Sequence, residues 1–546
     1  MLALTLLVFA TSAPAMQTAP RWSHLTQPQD VAEAKLGVGL AFDRATLLAG
    51  APQAVAGAEE GILQRGDVEP PGTVTAYERD STTGDWSEVQ WIHPSLSCGF
   101  DRFGVSIVLD GDTAFISAPS AIVGGLRTGA VFRFERLQGQ WIERQVITSP
   151  LPHAFAGFGN HLAFDGSQLI VGAPFQDGAG IDEWGHGFVF EEDGVTSDWV
   201  AAGVLVPPPM PDHSWAGYRV AIDGDQAALG VFNFNAGGNG AGAVCLFERA
   251  GSGWTPVQQI VPSVQVPFSH FSYELILKGD LLIAGAYRSG PAFHLHGALN
   301  VFRRPGPAAD FIEVQRIVPP GLEFAAVLGV SSVLLDNGKL AAGMPGAHNS
   351  GGRVGIYAPE PKGTFRLESI QYPPLFGESP NFGWKVATDG VNLAASAPTQ
   401  VVGGVSSGGV YFWNPDAVSS ERPFCHATNA TNNPRPAMLR SQGTLDSGGS
   451  QMRLTLTEVP PQSVVRLLAA PASGSGWSFG LGCLPGAAVQ VLEGPLLADP
   501  HGACTWWAGG SSAAAALVAG TSWTFQVHAW NAGQEIQSNA LEVHFR

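Results

Sequence analysis

The sequence predicts an all-β chain, a seven-bladed β-propeller followed by a small β-sandwich, and three observations carry that expectation. A unit of similar length recurs seven times before residue 413. Each unit holds up to four short runs with the period-two alternation of half-buried strands. Beyond residue 413 the repeat stops, and a different set of strand-like runs continues to residue 546.

Each unit opens on a short strand: LGVGLAFD at Leu36, FGVSIVLD at Phe103, FGNHLAFD at Phe158, AGYRVAID at Ala216, FSYELILK at Phe271, LGVSSVLLD at Leu328 and FGWKVATD at Phe382. Their second residues fall at 37, 104, 159, 217, 272, 329 and 383, so the intervals are 67, 55, 58, 55, 57 and 54. A second apolar run ends in small residues and proline at Pro52, Pro119, Pro174, Pro345 and Pro398, which units four and five replace with Gly230-Val231-Phe232 and Gly285-Ala286-Tyr287. A third run starts at a glycine, as at Gly129, Gly242 and Gly409. A fourth starts at an aromatic residue: Trp86, Trp141, Trp199, Trp254, Phe311 and Phe365. Four short antiparallel strands per repeat are the signature of a propeller blade. Unit seven lacks a fourth strand of its own, and Arg21 to Thr26 has the aromatic-led look of one, which predicts that the N-terminal strand closes the ring and places the propeller at 21–413.

Residues 414–423 read as a linker rich in proline, serine and charge, and 424–546 as a C-terminal β-sandwich with strand-like runs at 452–457, 464–469, 488–492, 522–530 and 541–545. The first 16 residues read as a signal peptide, with an apolar run from Leu2 to Ala10 and small residues at Ala13 and Ala15. The mature chain is therefore expected to be secreted or at the cell surface. The five cysteines are too few and too scattered for a disulfide scaffold or a paired zinc site; one bridge, Cys425 to Cys483, is expected, and Cys245 is expected in the core.

With 46 acidic residues against 28 basic ones, the chain carries a net charge of −18, which argues against nucleic acid and anionic lipid as partners. No apolar run is long enough to span a bilayer. Charged residues make up only 14% and hydrophobic ones 45%, which excludes a disordered chain.

With Phe103-Gly104 and Phe158-Gly159 as one element and Gly172-Ala173-Pro174 as the other, the units resemble the FG-GAP repeats of the integrin α-chain propeller over residues 21–413. That resemblance implies an extracellular adhesion or binding protein. Some blades of that family hold calcium in an acidic loop of the form DxDxDG; here Asp110-Gly111, Asp165-Gly166, Asp223-Gly224, Asn337-Gly338 and Asp389-Gly390 stand instead, which are tight hairpin turns. No metal or cofactor is expected. The C-terminal region, through Phe424-Cys425, Gly482 to Leu484 and Gly520 to Ala540, resembles a domain found on many planctomycetal secreted proteins.

The loops after each first strand are short and those after each second strand long, so the second- and fourth-strand face is the expected binding face. Its aromatic and histidine residues Trp184, His186, Trp215, Phe232, Phe234, Tyr287 and His294 are the candidate ligand-binding set, suited to a glycan or a protein partner. Two GxSxG matches, at Ser406 and Ser478, lack the strand-turn-helix setting of a nucleophile elbow, and Arg65-Gly66-Asp67 reads as an ordinary turn. The sequence thus predicts a non-enzymatic binding or adhesion protein. The alternatives are a polysaccharide-degrading enzyme whose acidic or histidine residues converge at the channel without a linear motif, and a structural envelope component.

Overall fold

The computed structural model describes residues 23–25 and 35–415, leaving out 53–71, 83–85, 97–100, 179, 212, 236–239, 252, 291–294, 307–308, 320–324, 348–350, 372–380, 403–404 and 407; beyond 415 it describes the backbone of strands between 422 and 544. The chain divides into two compact units, one being Arg21–Pro415 and the other containing Asp416–Arg546. No helix of the described residues is long and apolar enough to cross a membrane.

The first unit is a seven-bladed β-propeller, each blade a four-stranded antiparallel sheet. Blade one is Gly39–Asp43, Thr46–Ala51, Thr73–Arg79 and Trp86–Ile92. Blades two to six follow in chain order, with first strands at Ile107–Asp110, Leu162–Phe164, Ala216–Asp223, Phe271–Lys278 and Ser332–Leu334. Blade seven takes Val386–Thr388, Leu393–Ser396 and Val410–Trp413, and its fourth strand is Ser23–Leu25, paired antiparallel with Ser23 opposite Phe412 and Leu25 opposite Val410. The first strands touch their neighbours all the way round, blade seven against blade one, and so form the inner wall of the ring.

The repeated glycine of each opening segment has a physical cause. Position two of every unit has a left-handed backbone, with φ from 84° to 101°: Gly37, Gly104, Gly159, Gly217, Ser272, Gly329 and Gly383. L-residues rarely adopt this region, and glycine does so without penalty. The amide of Gly104 donates to the Ser117 carbonyl at 2.9 Å, that of Gly159 to Gly172 at 3.0 Å and that of Gly383 to Ser396 at 2.8 Å, tying each opening to the second strand of its own blade. The small residue at the end of the second strand completes the fit: a Cβ on Gly50, Gly172, Gly285 or Gly343 would overlap the carbonyl oxygen of Gly104, Gly217, Gly329 or Gly383 in the next blade. The two repeated elements are therefore the two halves of one backbone contact between blades.

Toward the rim, glutamines in the fourth strands form a second seam. Gln90 grips the backbone of Trp141 with both ends of its amide, donating to the carbonyl at 2.9 Å and accepting from the N–H at 2.7 Å. Gln145 does the same to Trp199, Gln258 to Phe311 and Gln315 to Phe365. The turn aspartates also act between blades: Asp43 accepts from the amide of Gly111 at 2.8 Å, Asp165 from Gly224 at 3.0 Å and Asp223 from Gly279 at 2.6 Å. Cys245 is buried and free, as core packing requires, and burial pushes its thiol pKa up to about 12.

In the second unit, strands Arg422–Pro423, Leu541–His544, Ser522–Asn531, Val464–Pro471 and Gln490–Val491 lie side by side in one sheet. Leu496–Leu497 pairs with Val464–Pro471 and Gln534–Gln537 with Ser522–Asn531, while Met438–Gln442, Met452–Thr457 and Cys504–Ala508 form a separate antiparallel sheet. The expected signal peptide, the Arg65-Gly66-Asp67 turn and the Cys425 and Cys483 pair lie outside the described residues.

Candidate functional site in the central channel

Aligning the seven opening segments places one residue of each blade, two after the left-handed position, on the inner wall: Gly39, Ser106, His161, Arg219, Glu274, Ser331 and Lys385. These side chains reach toward the following blade. Ser106 Oγ accepts the amide of Leu162 at 3.0 Å, His161 Nδ1 that of Val220 at 3.3 Å and Ser331 Oγ that of Val386 at 3.0 Å. The Glu274 carboxylate accepts the amide of Ser332 in the same way. Arginine and lysine cannot accept, so Arg219 and Lys385 break the pattern and extend elsewhere.

Four ionisable groups from four blades are thereby linked: Arg219 of blade four and Lys385 of blade seven lie within electrostatic reach of each other and of both His161 of blade three and Glu274 of blade five. Groups from blades five and seven can interact in this way only across the channel. Arg219 is held by aromatic faces, its guanidinium carbon 5.0 Å from the Tyr218 ring and 4.4 Å from the Tyr273 ring, and it donates to the Tyr218 carbonyl at 3.1 Å.

Enclosure perturbs Glu274, Lys385 and His161. Burial raises the Glu274 pKa above the usual carboxylate range, although Lys385 and Arg219 pull it down, and Glu274 Oε2 is buried with no hydrogen-bond partner. Burial lowers the Lys385 pKa, with Glu274 opposing the shift and Arg219 adding to it. His161 is held well below 6.5 by burial first, then by Arg219 and Lys385. It is therefore neutral, and because Nδ1 accepts a backbone N–H, the ring proton sits on Nε2. The site thus offers hydrogen-bond donors on Arg219, Lys385 and His161 around one carboxylate with a bare oxygen, a combination suited to general acid–base chemistry on a polar substrate.

Of the candidate residues read from the sequence, Trp215, Phe232 and Tyr287 come together in an aromatic ladder next to this cluster. Phe232 stacks on His270 at 4.1 Å and on Trp215 at 5.8 Å, and His270 stacks on Tyr287 at 5.7 Å. Phe232 and Tyr287 also meet the Tyr218 and Tyr273 rings that hold Arg219, at 4.2 and 4.4 Å. Trp215 and His270 both carry left-handed backbones, with φ of 56° and 49°, and the Trp215 Nε1 donates to Glu183 at 2.8 Å. Trp184 and His186 are buried within blade three as an edge-on pair 5.5 Å apart, and Phe234 is partly buried against the core of blades three and four. Phe232 is buried as well. His294 lies outside the described residues.

The sequence reading missed His161, Arg219, Glu274 and Lys385. The signal was present as a column: four charged or imidazole residues at a repeat position that is otherwise glycine or serine. A glycoside hydrolase uses a pair of carboxylates, and the seven wall positions supply one, Glu274, so the polysaccharide-degrading alternative finds no such pair there.

No family model matches the chain, and no curated protein matches it in sequence. Among solved structures, it is similar to proposed 6-phosphogluconolactonases from Bacteroides uniformis and Bacteroides fragilis. Both are 13% identical and cover 60% of this chain; the TM-scores are 0.41 and 0.40, and 83% and 81% of those chains are covered. The periplasmic gluconolactonase of Pseudomonas aeruginosa is 16% identical, covers 61% of this chain and is itself 84% covered, with a TM-score of 0.41. These are likenesses of fold. The expectation of a non-enzymatic binding or adhesion protein is corrected on the channel itself, where ionisable side chains from four blades are gathered and a buried carboxylate keeps an unpartnered oxygen.

Proposed function

We propose that the chain is an enzyme whose active site is the channel cluster, with hydrolysis of an activated ester such as a lactone as its reaction. The observation that supports this reading is Glu274: a buried carboxylate with a raised pKa and one unpartnered oxygen, within the electrostatic reach of Lys385 and Arg219 from two other blades. In this reading Glu274 takes a proton from water as the water oxygen bonds to the carbonyl carbon. The Nε2–H of His161 donates to the oxyanion that forms, within the positive field of Arg219 and Lys385. As the ring C–O bond breaks, the leaving alkoxide takes the proton back from Glu274, leaving a hydroxy acid.

The test is ring opening of a panel of δ- and γ-lactones by the purified propeller-containing chain, followed by proton release. Glu274→Gln should lower kcat at least 100-fold with the fold intact. Turnover by the wild type that survives Glu274→Gln, or no turnover above the buffer rate on any member of the panel, defeats the proposal.

The finer assignments made from sequence belong to the same proposal. Kinship with FG-GAP repeats is supported by the backbone contact between the two repeated elements, and export by the apolar segment before residue 17. The sheets beyond residue 422 are read as a β-sandwich of the planctomycetal kind. Comparison of the mature N-terminus of exported protein with residue 17 tests the export reading.

A further inference from the structure

The charge count on the channel wall is unequal. Arg219 and Lys385 face one carboxylate, Glu274, and the other wall residues, Gly39, Ser106, Ser331 and the neutral His161, add no negative charge. Arg219 is near enough to Lys385 to disfavour the lysine's charge, and both act on His161 in the same sense. Two cations held together away from bulk water are costly unless an anion joins them. The surroundings nonetheless hold Arg219 in place, by the Tyr218 carbonyl at 3.1 Å and by the faces of Tyr218 and Tyr273. This is set against a chain whose net charge is −18, so the positive field is local to the channel.

We propose that the channel binds an anionic group of its substrate, a carboxylate or a phosphoryl group, between Arg219 and Lys385. The inference rests on the enzyme reading above and narrows it to anionic substrates, but binding is measured without turnover, so the two fail separately. Glu274 stays outside the anion contact and is the like charge that keeps the affinity moderate.

Inorganic phosphate and, separately, malonate are titrated into the full chain by calorimetry at constant ionic strength, with chloride as the control. At least one of the two should bind saturably, and the difference between the arms identifies the anion class. Lys385→Met should weaken that binding at least tenfold, and Lys385→Arg should retain it within about threefold, which separates loss of charge from misfolding. Glu274→Gln, which removes the like charge, should tighten anion binding several-fold even as it abolishes turnover. Absence of saturable binding for both anions, unchanged affinity in a folded Lys385→Met protein, or weaker binding in Glu274→Gln overturns the inference. If lactones are not opened but phosphate binds with this pattern, the reaction assignment falls and the anion site stands. If neutral lactones are opened as fast as anionic ones and neither anion binds, the reverse holds.

Discussion

Replacing Ser272 with glycine should stabilise the propeller, and the structure gives the size of the effect. Ser272 occupies the left-handed position that is glycine in the other six blades, at φ 84°. At the equivalent glycines a Cβ would press on the carbonyl oxygen of Ala130, His186, Ala298 or Arg353 in the preceding blade. Serine at such an angle costs on the order of 1–3 kcal/mol. Its Oγ is buried without a hydrogen-bond partner, which adds about 1–3 kcal/mol. Glycine returns about 0.5–1 kcal/mol through the freedom of the unfolded chain. The balance favours Ser272→Gly by about 1–5 kcal/mol, a rise in Tm on the order of several degrees for a unit of this size. Thermal unfolding followed by circular dichroism measures it. Glu274 is two residues further along the same strand, so the same variant is assayed for lactone opening; relaxing the strand there should lower kcat while leaving the protein more stable. A Tm that falls or stays unchanged would refute the strain argument.

Gln258→Ala removes both hydrogen bonds to the Phe311 backbone and should cost about 1–3 kcal/mol in denaturant unfolding, whereas Gln371→Ala, whose amide meets Ser369 alone among the described residues, should cost less than about 1 kcal/mol. Burial depresses the pKa of His186 to about 4 and, with help from Arg288, that of His270 to about 4. Each binds its proton more tightly when unfolded, so the stability tied to its neutral form is fully present above about pH 6.5 and is lost as the pH falls toward 4, up to about 3 kcal/mol per ring. His186→Phe should flatten the Tm-against-pH curve over that interval, and an unchanged slope would show that His186 does not titrate in this way.

The architecture was legible because each structural demand recurs. A left-handed backbone at one position per blade selects glycine, and the neighbouring close approach selects small residues at Gly50, Gly172 and Gly343, so the pattern survives seven copies. The closing strand at Ser23–Leu25 was legible for the same reason, as the one missing member of a series. The candidate site was not, because its chemistry comes from departures from the repeat. Arg219, Glu274 and Lys385 are single exceptions in three units, and only the ring geometry makes them neighbours. The aromatic residues misled for a different reason. Phe232 sits just beyond a second strand and Trp184 just before a third, where sequence alone does not separate a side chain that fills the gap between blades from one displayed on a loop.

Closing the ring with the first strand of the chain has a consequence for how the molecule is made. His24 emerges among the earliest residues of the propeller, yet its partner Tyr411 is among the last, so the latch joins the two ends of a very long loop. The entropy of closing such a loop grows only slowly with length, but that contact cannot reward folding until the other blades have assembled. During synthesis, the third strand of blade seven stays an open edge until the beginning of the chain returns to it. The interval before that return is when the protein is most open to pairing with a second copy of itself.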